Sequence, residues 1–183
     1  MEPIKARRIE YVDVLRALAL FFVILGHLIS TEYGYFVFTS PIKIPLFFAI
    51  TGFVFPYQRK DPLSFLKNTF WKLVVPWLLL TVPFALARAA FRGISALPQA
   101  LWDILSGKTA WYMPCCIIAE IIWFFVNRYG KTVLRISLAS LLICALGLIA
   151  AQYRMLDFAM INRAMVAQFF LLIGFLMKKR EKI

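Results

Sequence analysis

Histidine occurs once in this chain, at position 27, and the acidic residues number nine against 21 Lys and Arg. A single histidine disfavours haem redox chemistry, because it cannot supply two axial ligands; only a His with Met stays formally open. The three cysteines, Cys115, Cys116 and Cys144, lie in apolar stretches without CxxC or other metal-ligand spacing. They read as reduced packing residues, so neither a disulfide framework nor a metal site is expected. A cleavable leader is also lacking: the first apolar run is too long, carries charge and has no small-residue cleavage site, so it is expected to remain as an anchor. The net charge of +12 would point to nucleic acid in a soluble chain. Here Lys and Arg cluster between hydrophobic spans, where they set topology, and nucleic acid is discounted.

What fills the chain is apolar. Of 183 residues 62% are hydrophobic and 16% aromatic, and apolar runs recur along the whole length. No soluble domain of this size tolerates that, so the expected fold is all-α, a polytopic transmembrane helical bundle. About six spans are expected, near 11–29, 42–57, 73–90, 111–126, 136–151 and 162–177, in a single transmembrane domain over 1–183. The second is short and bounded by Pro41, Pro45 and Pro56, and Pro76 and Pro83 predict kinks in the third. Residues 30–40 read as a polar turn and 58–72 as a basic loop. Between 92 and 110, the spacing of Ile94, Leu97, Leu101, Ile104 and Leu105 predicts a helix lying in the interface.

Lys and Arg fall mainly in the leader (Lys5, Arg7, Arg8), the second connector (Arg59, Lys60, Lys67, Lys72), the fourth (Arg128, Lys131, Arg135) and the tail. The opposite side holds Lys43, Arg88, Arg92, Lys108, Arg154 and Arg163. Both termini are therefore expected in the cytoplasm. The first span, YVDVLRALALFFVILGHLI, carries Asp13, Arg16 and His27. Eleven helical steps bring Arg16 and His27 to within about 20° of one face, roughly 16 Å apart. Ionisable groups at this depth cost a few kcal/mol each, so the stripe should turn toward other helices or a wet cavity. Thr51 and Glu120 fall near mid-depth. If their helices adjoin, these residues make a polar column.

The opening RRIEYVDVLRALALFFVILGHL, then KIPLFFAITGFVF and a basic segment leading into WKLVVPW, resembles the acyltransferase 3 family of integral membrane O-acyltransferases. Within it the chain is most similar to the fucose O-acetylase-like branch, whose tryptophan-containing segment SGKTAWYMP resembles. Thr51 stands where the family usually has serine, and Lys67 and Lys72 replace its paired arginines at another spacing. Family members usually have about ten spans, so the resemblance implies an amino-terminal portion of one. It further implies transfer of an acyl group, usually acetyl, from cytoplasmic acyl-CoA to a hydroxyl of a sugar or lipid-linked glycan, as in polysaccharide O-acetylation. Acyl-CoA is then the donor substrate, with no tightly bound cofactor. The expected setting is the lipid bilayer of a bacterial inner membrane, and homo-oligomerisation stays open.

On this reading the catalytic candidates are His27, Arg16, Asp13, Glu120 and Thr51, and the donor-binding candidates are Arg16, Arg59, Lys60, Lys67 and Lys72. A neutral imidazole suits His27 as general base on the acceptor hydroxyl, or as a transient acyl carrier. Asp13, about 21 Å away along the axis, cannot orient it and is expected to pair with Arg16 three residues on. Glu120 is the best intramembrane carboxylate partner by chemistry. The basic residues suit CoA phosphates, though the positive-inside rule alone would put them there. The Thr51 hydroxyl either bonds within its helix or lines the site, and Gly52 allows close helix approach. Trp111 and Tyr112 are adequately explained as interfacial aromatics. Two other classes compete: a truncated, non-catalytic relative acting as a membrane partner or inert fragment, and a small transporter. The second should show similarity between its halves, and none is visible.

Overall fold

The computed structural model describes residues 10–28, 35–55 and 61–180. Among them every regular element is helical: α1 (Glu10–Leu28), α2 (Tyr35–Val54), α3 (Pro62–Thr69), α4 (Val75–Arg92), α5 (Leu97–Leu105), α6 (Tyr112–Tyr129), α7 (Val133–Gln152) and α8 (Ile161–Arg180). The all-α expectation holds. Among the described residues three helical stretches are long and apolar enough to cross a membrane: Pro62–Arg92, Val133–Gln152 and Phe158–Arg180.

The helices overrun the expected spans, and two connectors are corrected. The polar turn expected over 30–40 gives way to α2 at Tyr35. The basic loop expected over 58–72 is helical from Pro62, because Asp61 and Pro62 make a start signal: the Asp61 carboxylate accepts from the Ser64 N–H at 3.2 Å, and proline needs no N–H in a first turn. Between α3 and α4 the chain widens into a π turn, Phe70–Val74, in which the Val75 N–H donates to Phe70 O. Pro76 explains it. Its ring would crowd the carbonyl of Lys72 four residues back and has no N–H to offer it, so the ladder loosens just ahead of the proline. The amphipathic helix expected in the 92–110 connector is α5, with Ala100 and Ile104 buried and Leu101, Trp102 and Leu105 exposed.

The described chain forms two compact units. The first holds α1, α2 and the second half of α8. Val12, Ile50 and Phe53 are buried together in it, with Leu46 and Val54 against them, and Tyr11 meets the Phe53 ring edge-on at 6.1 Å. Here α2 and α8 touch backbone to backbone. A Cβ on Gly174 would collide with Ala49 O, and one on Gly52 with Leu171 O. Glycine is required at both places because no side chain fits between the helices.

The second unit holds α3 to α7 and the first half of α8. Phe65 stacks on Phe124 at 4.0 Å, and Trp77, Ala85, Ala100 and Ile104 form a core joined by Val74, Leu78, Met113 and Ile117. Arg88 reaches Asp103 at 3.6 Å, tying α4 to α5. The small residues of α7 divide by face: Ser140, Gly147 and Ala150 are buried, with Gly147 against Met165 and Asn162 of α8, whereas Ala145 is exposed. Helix packing accounts for the buried ones.

Candidate functional site

Two groups of the candidate residues are visible, one in each unit. In the first, Asp13 and Arg16 pair at 3.9 Å, one turn apart as expected, with 37% and 48% of their side chains exposed. At that exposure and length the pair contributes a few tenths of a kcal/mol at most, so its value lies in where it holds the guanidinium. Arg16 lies one turn from buried Val12 and from buried Ala19, on the same helical face. His27 belongs to the last turn of α1, and its side chain lies outside the described residues. The Thr51 hydroxyl donates to Phe47 O at 2.9 Å within its own helix, which is the packing alternative of the two read from the sequence. Its lone pairs stay available as acceptors. At the end of α2, Lys178 of α8 donates to Phe55 O at 3.4 Å.

The second unit holds Glu120, Lys67 and Lys72; Arg59 and Lys60 lie outside the described residues. Glu120 sits at the middle of α6, half-buried, and the cation whose charge acts on it is Lys72. Lys72 lies inside the π turn, which packs against α6. Along α6 at four-residue intervals precede Cys116 and Tyr112, which share a hydrogen bond, so Tyr112, Cys116 and Glu120 form a polar line on one face. Beside the line, Leu66, Lys67, Phe70, Val74, Ile117 and Ile121 border an apolar groove of about 580 Å³. It has the character of a slot for an apolar chain with a cation at its rim.

Several polar residues of the interior escaped sequence reading, Thr81, Asn162 and Gln168 among them. Gln168 is fully buried on α8, and its Nε2 donates to Ala119 O and Ala164 O, each at 3.1 Å. An amide is costly in an apolar helix unless another helix satisfies it. Its position in the apolar run AMVAQFFLLIG was the available signal. Among the described residues no group of three or more His, Cys, Asp or Glu is placed to hold a metal ion.

Against known proteins, the acyltransferase 3 family model, an acyltransferase domain, matches residues 9–183. The chain belongs to the acyltransferase 3 family. No curated protein and no solved structure matches it. Family membership together with the apolar helices makes it an integral membrane protein of the acyltransferase class. The family match takes in both groups of candidate residues, the α1 pair and the α6 line.

Proposed function

We propose that this acyltransferase 3 family member moves an acyl group, acetyl in this reading, from cytoplasmic acyl-CoA to a hydroxyl of a sugar or cell-surface glycan, as the resemblance to the fucose O-acetylase-like branch implies. The observation that carries the reading is the family match over residues 9–183, which contains the motif holding Arg16 and His27. In the step proposed, His27 takes the proton of the acceptor hydroxyl as its oxygen attacks the thioester carbonyl. The C–S bond breaks, an ester forms, and the proton passes to the departing CoA thiolate. Both termini face the cytoplasm in this reading, and six spans cross a bacterial inner membrane. The connector with Arg59, Lys60, Lys67 and Lys72 then meets CoA phosphates on the side where the donor is made. The apolar groove lined by Leu66, Phe70 and Ile121 beside Lys67 would suit the apolar part of an acyl-CoA donor.

The test is CoA release by purified protein in nanodiscs, supplied with acetyl-CoA and a panel of glycans, beside a water-only control. Release that requires an acceptor, and that His27→Ala abolishes while leaving the elution profile unchanged, is the expected result. Equal release by wild type and His27→Ala overturns the assignment of His27. No release from a stable fold with the full panel overturns the enzyme.

A further inference from the structure

A second cavity, of about 480 Å³, lies within the second unit where the α5–α6 and α7–α8 connectors meet. Ser106, Lys108, Asp157, Phe158, Asn162 and Arg163 line it. The two connectors are locked together by Ala159 N–H donating to Ser106 O at 3.1 Å, and Gly107 sits in their joint at φ +78. All five non-glycine residues with positive φ among the described residues, Ala110, Arg154, Leu156, Ala159 and Met160, fall in these connectors. Each such conformation costs of order 1 kcal/mol, so the surrounding contacts hold the chain in a shape it does not prefer.

The lining combines three chemistries. Buried Asn162 donates to Asp157 Oδ1 at 2.5 Å and accepts from the Arg163 N–H at 2.7 Å, which fixes the carboxylate in the cavity lining. Phe158, with Trp102 beside it at 5.9 Å, supplies an aromatic wall. Lys108 and Arg163 supply positive charge that no carboxylate answers among the described residues; Arg163 lies instead over the Trp111 ring at 4.7 Å. A carboxylate that accepts hydroxyl protons, an aromatic wall for C–H faces and two unanswered cations fit a polyhydroxylated ligand with a negative charge.

We propose that this cavity binds one saccharide unit bearing an anionic substituent, as the acceptor subsite of the acyl transfer; the acceptor role rests on the function proposed above. Asp157 accepts from ring hydroxyls, Phe158 covers one face of the ring, and Lys108 with Arg163 holds the anionic group. In the proposed orientation both connectors lie on the outer side, where a surface glycan is met.

The test titrates protein in zwitterionic nanodiscs with glucuronate, glucose and inorganic phosphate, read by saturation-transfer NMR and competition. Saturable glucuronate binding about tenfold tighter than glucose is expected, with a loss of about tenfold in Lys108→Ala and in Arg163→Gln, the size of one charge-assisted hydrogen bond, and retention in Lys108→Arg. Both targeted side chains are exposed, so the variants should fold. Glucuronate bound no tighter than glucose overturns the proposal. So does phosphate competing as well as glucuronate, which marks a bare anion site, or displacement by added phosphatidylglycerol, which marks a lipid headgroup site. CoA release separates the two readings. Release with an unchanged acceptor KM in both variants removes the subsite and keeps the enzyme, whereas glucuronate binding without release keeps the saccharide site and removes the enzyme.

Discussion

Replacing Gly174 by alanine sets two effects of opposite sign against each other. In an open helix the change is favourable by about 1 kcal/mol, because alanine restricts the unfolded backbone and exposes less of it. At this position the new Cβ would meet Ala49 O inside contact distance, with Phe53 N at 2.6 Å and Ala49 C at 2.8 Å. Carbon atoms pack at about 3.5–4.0 Å, so α2 and α8 must part by about an ångström, and a gap of that size forfeits up to about half of each contact across it. The atoms in the way are backbone and cannot rotate aside. Leu171, whose backbone meets Gly52, and Phe53, whose N lies at the Gly174 contact, are both buried there. Overpacking costs about 1–3 kcal/mol where side chains can yield, and the upper end applies here. The net is a loss of about 2 kcal/mol, or roughly 4–8 °C in thermal midpoint on the scale of a chain this long. Between membrane helices such packing is the main attraction, since lipid is as apolar as the side chains. The midpoint is read from the loss of the monodisperse peak on heating in detergent. A midpoint for Gly174→Ala at or above wild type would refute the backbone contact.

Three further outcomes follow from particular contacts. Lys72→Met should destabilise more than Lys67→Met, because it strands the half-buried Glu120, and adding Glu120→Gln should recover about 1 kcal/mol; additivity in the double-mutant cycle would remove the pairing. Gln168→Leu should cost about 0.6–1.7 kcal/mol through the lost bond to Ala119 O, reduced by relief of its Oε1, which is buried without a hydrogen-bond partner among the described residues; a cost above 3 kcal/mol in an unfolding titration would contradict this account. Gly107→Ala meets both a left-handed φ and Met160, Pro114 and Ala159 at 3.3–3.4 Å, so it should weaken glucuronate binding several-fold; unaltered binding would separate Gly107 from the cavity.

Some of this protein was legible in residue order alone. Apolar runs at helical length specify helices, because a backbone in lipid must satisfy its own hydrogen bonds. The Asp13–Arg16 pair was legible because one helical turn brings such neighbours together whatever lies around them. Gly52 was readable as a point of close approach, and Thr51 as a hydroxyl with a partner in its own helix. The helix start at Asp61 and Pro62 was written there too, masked by the basic residues around it.

Tertiary structure alone decided which helix meets which. Nothing local says that Gly52 and Gly174 face backbone across one seam, or that Gln168 finds Ala119 O forty-nine residues away. Lys72 read as one more cation in a basic loop, whereas in the fold it lies in a π turn packed against α6, where its charge acts on Glu120. The saccharide-sized cavity joins Ser106 and Lys108 to Asp157 and Asn162 through a single backbone bond between connectors. Local sequence sets periodicity, caps and turn geometry because those energies involve neighbours in the chain. The pairing of helices is set by the summed packing of whole faces, and no single stretch of residues contains it.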